Sequence, residues 1–213
     1  MKKITFFGGS GGLGSQVIPY LQSKYDVSSI SSTIVNLTKN DDITNYFDLN
    51  SPDVVIIFSN YNYNSFLHKY KDNEDQLIKQ VDINITGVTK CLSYALDSMR
   101  KNNYGRIIIA SSITVDKSVM GTSIYAATKA YYENLVKTIC LENASKNITA
   151  NCIQLGYMDG GLTYTLSEEF LQNTISQIPS KRLGTPEEIF KTIDFLIDNS
   201  YINGTTIKLT GGL

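Results

Sequence analysis

The sequence predicts an α/β fold, a doubly wound parallel sheet in a single domain. Short apolar runs alternate along the chain with longer amphipathic segments. The runs are apolar throughout rather than alternating with polar residues, as in strands covered on both faces. A glycine-rich turn, Gly8 to Gly14, lies between the first run and the first helical segment.

Composition narrows the class further. A chain of 213 residues is one domain's worth and buries a sizeable core without a disulfide or metal staple. The formal net charge of −1 argues against nucleic acid as the main partner, which needs a basic footprint. The longest apolar run, 54–58, is far short of the ~20 residues of a membrane span. Met1-Lys2-Lys3 looks briefly like a signal peptide, but the glycines from Gly8 onward break its apolar region. Cys91, Cys140 and Cys152 show no C-x-x-C spacing, so neither a disulfide framework nor a zinc site is indicated. All three read as core. His68 is the single histidine and reads as an exposed loop residue, which excludes a His-based triad and a multi-histidine metal site. A cytoplasmic setting is expected.

Each element has its own signal. Residues 3–7 are a strand entering the glycines, and 13–24 read as a helix. Two strand candidates, 27–31 and 34–37, almost touch. Asp41 opens a short helix with an acidic first turn. Residues 53–58 are a buried strand by their β-branched run, followed by a Tyr- and Asn-rich stretch over 60–73. Leu77, Val81, Ile85, Val88, Leu92, Leu96 and Met99 recur every three or four residues, one long amphipathic helix over 75–101. A strand at 106–110, a helix over 123–143 and a strand at 148–155 follow, then loop and small helix over 159–181. Thr185 is an N-cap, with Pro186 at the first helical position and Glu187-Glu188 in the first turn. The last strand is 206–209. That makes seven strands. Only Ser32 and Thr33 separate the second and third, although parallel neighbours need a dozen or more residues of crossover. The crossover helix between them is therefore expected to be missing.

Gly8-Gly9-Ser10-Gly11-Gly12-Leu13-Gly14 follows a strand and precedes a helix, the setting in which a glycine turn receives a pyrophosphate on free N–H groups. Tyr125 and Lys129 lie one helical turn apart, and a nearby ammonium lowers a phenol's pKa toward working pH. Such a tyrosine protonates a carbonyl being reduced or deprotonates an alcohol being oxidised. The second Tyr-x-x-x-Lys, Tyr20 to Lys24, is far from the glycine turn and reads as surface. Ser112 ends the strand at the ligand-binding edge, although strand-end serines are also ordinary turn residues. Asn84 sits on the apolar stripe of its helix, either as a satisfied core amide or for a functional reason.

These residues resemble a known pattern. Gly8-x-x-x-Gly12-x-Gly14, Val81-x-x-Asn84-Ile-Thr-Gly87, Gly105-Arg-Ile-Ile-Ile-Ala-Ser-Ser112, Tyr125-x-x-x-Lys129 and Arg182-Leu-Gly-Thr-Pro-Glu-Glu188 stand in the order of the short-chain dehydrogenases/reductases. The chain resembles the compact type that includes the 3-oxoacyl-carrier-protein reductases, over nearly its whole length. The resemblance implies a Rossmann-like fold and four catalytic residues. Tyr125 is the acid/base, Lys129 lowers its pKa and binds the nicotinamide ribose, Ser112 holds the substrate carbonyl, and Asn84 supports a relay water. It also implies homodimers or homotetramers through the two long helices and the last strand.

Departures gather around the cofactor. Phe7 replaces a threonine, and Ile57-Phe58-Ser59-Asn60 replaces an Asn-Asn-Ala-Gly signature. Leu155-Gly156 replaces Pro-Gly, Gly160 a threonine, and Asn36 an aspartate. The expected cofactor contacts are Gly8, Ser10, Gly11, Gly12, Leu13 and Gly14 at the turn. Ser31, Ser32 and Asn36 lie at the adenosine end, with Ser59, Asn60, Tyr125, Lys129 and Gly156 completing the set. Ser31-Ser32-Thr33 offers neither an acid nor an arginine after the second strand, so NADP(H) is favoured narrowly over NAD(H). The run Asn60 to Asn64 reads as a solvated loop, with a place to meet a polar substrate as the alternative, and 159–181 as a substrate lid or a plain surface helix. The expected function is hydride transfer between nicotinamide and a small carbonyl or alcohol. The rival is a catalytically silent dinucleotide-binding or scaffold protein of the same fold.

Overall fold

The computed structural model describes residues 1–213. Its strands are β1 (Lys3–Phe7), β2 (Asp26–Ile30), β3 (Val54–Ile57), β4 (Gly105–Ser112), β5 (Ile148–Leu155) and β6 (Thr206–Leu209). They make one sheet in the order β2-β1-β3-β4-β5-β6, every pair parallel. The helices are α1 (Gly14–Gln22), α2 (Asn40–Leu49), α3 (Glu74–Val81), α4 (Val88–Asn102), α5 (Ser123–Asn143), α6 (Glu168–Gln177) and α7 (Pro186–Asp198). None is long and apolar enough to cross a membrane.

The pleat sends successive side chains of each strand to opposite faces. Val55, Ile57, Ile107 and Ile109 pack with Leu92, Met99 and Val136 of α4 and α5. Val54, Ile56 and Ile108 pack on the other face with Val17, Leu21, Ile193 and Leu196 of α1 and α7. Both faces are dry, which is why these strands are uninterrupted apolar runs. Burying one such side chain contributes roughly 1.5–3 kcal/mol.

The sheet has six strands, not seven. The candidate at 34–37 is a turn: the N–H groups of Ile34 and Val35 both donate to the Ser31 carbonyl at 3.0 Å. Val35 and Leu37 are buried in the same core as Ile30, while Ile34 is 56% exposed. The apolar pattern was a buried turn, so no helix is needed between residues 30 and 34. β2 is the sheet edge, and α2 makes the crossover from β2 over β1 to β3.

The long helix over 75–101 is interrupted. Between α3 and α4, residues Asp82–Gly87 form a π-helical turn. π-turns insert a residue into an α-helix and often mark functional sites. A Cβ on Gly87 would stand 2.4 Å from the Leu37 carbonyl oxygen, so glycine lets the buried 34–37 turn lie against this segment. Cys91 and Cys152 are buried as expected, whereas Cys140 is only partly so; all three are free thiols.

Candidate active site

The site lies at the carboxyl ends of the strands, where β1 and β3 part to opposite sides. Gly8 follows β1 with φ +87°, and a Cβ on it would stand 2.4 Å from the Ser59 nitrogen. Only glycine meets both demands. The turn after β1 therefore rests directly on the segment after β3. The N–H groups of Gly12 and Leu13 have no backbone partner, and they stand at the start of α1. Donors so placed suit a pyrophosphate.

Two cavities adjoin across this turn. The first, about 470 Å³, is lined by Gly11 to Gly14, Asn60, Asn62, Ser112, Tyr125, Lys129, Gly156 and Gly160 to Thr163. The second, about 520 Å³, is lined by Ser10, Ser31, Ser32, Asn36, Ser59, Asn60 and Lys79. Gly8, Gly11, Phe58 and Asn60 belong to both. Every cofactor contact expected from sequence thus lines one cavity or the other.

Three of the four expected catalytic residues line the first cavity. Ser112 closes β4 and caps the short turn after it. Its Oγ accepts from the Thr114 N–H at 3.2 Å and the Thr114 hydroxyl at 3.1 Å. With those lone pairs engaged, the Ser112 proton remains to be donated to a substrate oxygen. Lys129 is buried, and its Nζ donates to the Ala110 carbonyl at 2.9 Å. That leaves two of its three protons for other partners. Nζ stands 5.5 Å from the Tyr125 ring centroid.

Electrostatics correct one expectation. The Tyr125 pKa is raised, not lowered: burial disfavours the phenolate, and the neighbouring Ser112 hydroxyl pulls only partly the other way. Burial also pushes Lys129 down to about 8, which outweighs an opposing pull from Cys152. Desolvation is the largest influence on both groups in this geometry.

Asn84 stands apart from the cavity wall, within the π-turn and fully buried. Its Nδ2 donates to the Tyr61 carbonyl and its Oδ1 accepts from the Tyr61 N–H, both at 2.8 Å. Its own carbonyl accepts from the Tyr132 hydroxyl. Asn84 fixes the wall of the cleft through Tyr61.

The run from Asn60 to Asn64 is not simply a solvated loop. Ser59 Oγ, Asn60 Oδ1 and Asn62 Oδ1 are buried atoms with no hydrogen-bond partner, all on cavity-lining residues. Orphaned polar atoms and open N–H groups in one cleft fit a polar ligand of dinucleotide type. Sequence reasoning named Phe58 only as a departure from the signature and not as a contact; its ring centroid stands 5.0 Å from that of Phe6, and it lines both cavities. Sequence reasoning missed Lys79, one turn before Ile83 on the lining face of the helix. The i, i+4 spacing of those two was the available signal. The second Tyr-x-x-x-Lys is surface as expected: Tyr20 is exposed and Lys24 pairs with Asp194 and Asp198.

A family model described as Enoyl-(Acyl carrier protein) reductase matches residues 50–213. The 3-oxoacyl-[acyl-carrier-protein] reductase MabA of Mycobacterium bovis is 32% identical over 75% of this chain, and the match spans 66% of that protein. The acetoacetyl-CoA reductase of Shinella zoogloeoides is 32% identical over 89% of this chain and 77% of its own length. The FabG reductase of Staphylococcus epidermidis is 33% identical over 76% of this chain and 67% of its own. A crystal structure described as that of a betaketoacyl-ACP reductase matches with TM-score 0.85 over 99% of this chain and 97% of the other, at 19% identity, which shows the fold. Because the family match runs from before β3 through α5 to the final residue, the chain belongs to the short-chain dehydrogenase/reductase family.

Proposed function

We propose that the protein is an NAD(P)(H)-dependent oxidoreductase that interconverts a carbonyl and an alcohol. The observation that carries this is the convergence of Ser112, Tyr125 and Lys129 on one cavity beside the glycine turn. A nicotinamide bound in this cleft would supply or accept the hydride. Ser112 donates its free proton to the substrate oxygen. Tyr125, kept protonated by burial, gives that oxygen its proton in the reducing direction. Lys129, with two unspent protons beside the phenol, stabilises the phenolate left behind and reaches the ribose hydroxyls. Gly12 and Leu13 hold the pyrophosphate on their N–H groups.

NADP(H) remains favoured over NAD(H). No carboxylate lines the adenosine-end cavity, and Ser31, Ser32 and Lys79 are there to meet a 2′-phosphate. The named relatives reduce 3-oxoacyl and acetoacetyl thioesters, which makes a 3-oxoacyl thioester the first substrate class to try. Gly160 to Thr163 line the first cavity, which supports reading 159–181 as a substrate lid. The free cysteines support a reducing, cytoplasmic setting. A silent binding protein is the second reading, favoured by Phe58, in place of the signature's asparagine, on the wall of both cavities.

Tyr125→Phe separates the two. An enzyme loses nearly all turnover, on the order of 10²-fold or more, while fold and cofactor affinity persist. Unchanged carbonyl reduction in that variant removes Tyr125 from the mechanism.

A further inference from the structure

The catalytic helix α5 carries two consecutive tyrosines that the roles above leave unused. Tyr132 is fully buried, and its hydroxyl donates to the backbone carbonyl of Asn84 inside the π-turn. Tyr131 meets the Thr89 hydroxyl at 2.6 Å, and Thr89 in turn donates to the Ile85 carbonyl at 2.6 Å. Two neighbouring side chains of α5 therefore reach two successive carbonyls of one π-turn, Tyr132 directly and Tyr131 through Thr89. The ring of Tyr132 also lies 5.1 Å from the Lys129 ammonium, inside cation–π range. Asn84 continues the path, since both its amide groups hold Tyr61 in the cleft wall.

We propose that Tyr132 is a positioning residue, locking the helix that carries Tyr125 and Lys129 to the π-turn and holding Lys129 in register with the cleft. This rests on the oxidoreductase reading above. The contact is specific in kind. A phenylalanine would fill the same space and keep the ring beneath the ammonium, yet it could not fix the π-turn carbonyl. The titratable groups facing Lys129 and Tyr132 are Tyr125 and Tyr131 on α5 and Cys152 on β5, with Glu133 acting on Cys152. None is an exposed carboxylate whose ionisation would mimic the effect.

Tyr132→Phe in the full-length protein is the test, read in two ways. Hydrogen exchange reads the tether without any activity: amide exchange over residues 83–89 and at Tyr61 should speed up in the variant while the rest of the fold stays protected. Unchanged exchange there overturns the tether. Steady-state kinetics read its consequence. In the variant kcat should fall roughly 10- to 100-fold. KM for the cofactor should stay within about twofold, and the pH midpoint of kcat should move. A variant with faster exchange but native kcat and native pH profile shows a structural contact only, and overturns the positioning role. If the wild-type protein reduces no carbonyl compound, the oxidoreductase reading fails, while the exchange experiment still decides the tether. Should Tyr132→Phe fold poorly, Thr89→Val, which leaves Tyr132 intact but cuts the Tyr131 link, must retain kcat; an equal loss there would overturn the assignment to Tyr132.

Discussion

Lys129 is the residue whose chemistry the fold alters most. Burial brings its pKa from 10.5 to about 8, so it is an ammonium below that pH and neutral above it. Carbonyl reduction needs the ammonium, while the raised pKa keeps Tyr125 protonated throughout. The kcat/KM for cofactor, which reports the free enzyme, should therefore fall as pH rises through about 8. A flat profile across that range would separate Lys129 from the rate. The stability sign is the reverse of a paired lysine's. The unfolded chain binds the proton more tightly, so the cost of burial is fully present below about 8 and is relieved between there and the ordinary lysine value. Gln80 makes a second prediction: it is fully buried and neither amide atom has a partner. An unsatisfied buried amide costs roughly 1–3 kcal/mol, so Gln80→Leu should raise the midpoint of denaturant unfolding. A lower midpoint would show that the amide is satisfied. The placement of Tyr125 and Lys129 on one helical turn and of Ser112 at a strand end was legible from spacing and pattern, whereas their roles as a set came from the resemblance. The direction of the Tyr125 shift was not legible, since burial is a tertiary quantity that spacing does not contain.

Among the elements, α7 was read most completely. Thr185 and Glu188 make a capping box, with Pro186 at the first helical position, and its two hydrogen bonds are local, so sequence suffices to place this helix start. Arg182 and the Thr185 N–H hold the Glu188 carboxyl down at about 2. Its contribution is present above the ordinary carboxylate range and is lost as pH falls toward that value, a surface effect under about 1 kcal/mol. Thr185→Ala should cost about 1 kcal/mol in thermal or denaturant unfolding; a cost near zero would mean the cap is redundant. The 34–37 segment shows the opposite case. Val35 and Leu37 carry a strand-like apolar signal, but what decides strand against turn is whether the backbone finds a neighbour, and here Ser31 supplies both hydrogen bonds. The π-turn was equally hidden, because inserting one residue barely disturbs an apolar stripe at helical spacing. The Gly87–Leu37 contact beside it joins two parts of the chain that are remote in sequence.

At the scale of the whole molecule, the doubly wound sheet puts the glycine turn and the helix that carries Tyr125 and Lys129 on one edge. The alternation of runs and helices made that architecture readable before any coordinate. β6 leaves a sheet edge open, and Leu141 at the end of α5 is 84% exposed. Open edges are commonly covered by a partner. A homodimer or homotetramer through α4, α5 and β6 is therefore expected by light scattering, and a monomer at micromolar concentration would contradict it. The central claim concerns the cleft itself: two adjoining cavities, open N–H groups and orphaned polar atoms shaped for a nicotinamide dinucleotide. Calorimetric titration of the purified protein with NADPH and with NADH tests this most directly. Micromolar binding, tighter for NADPH, is the predicted result. A folded protein that binds neither would contradict the account and leave Ser112, Tyr125 and Lys129 without the chemistry assigned to them.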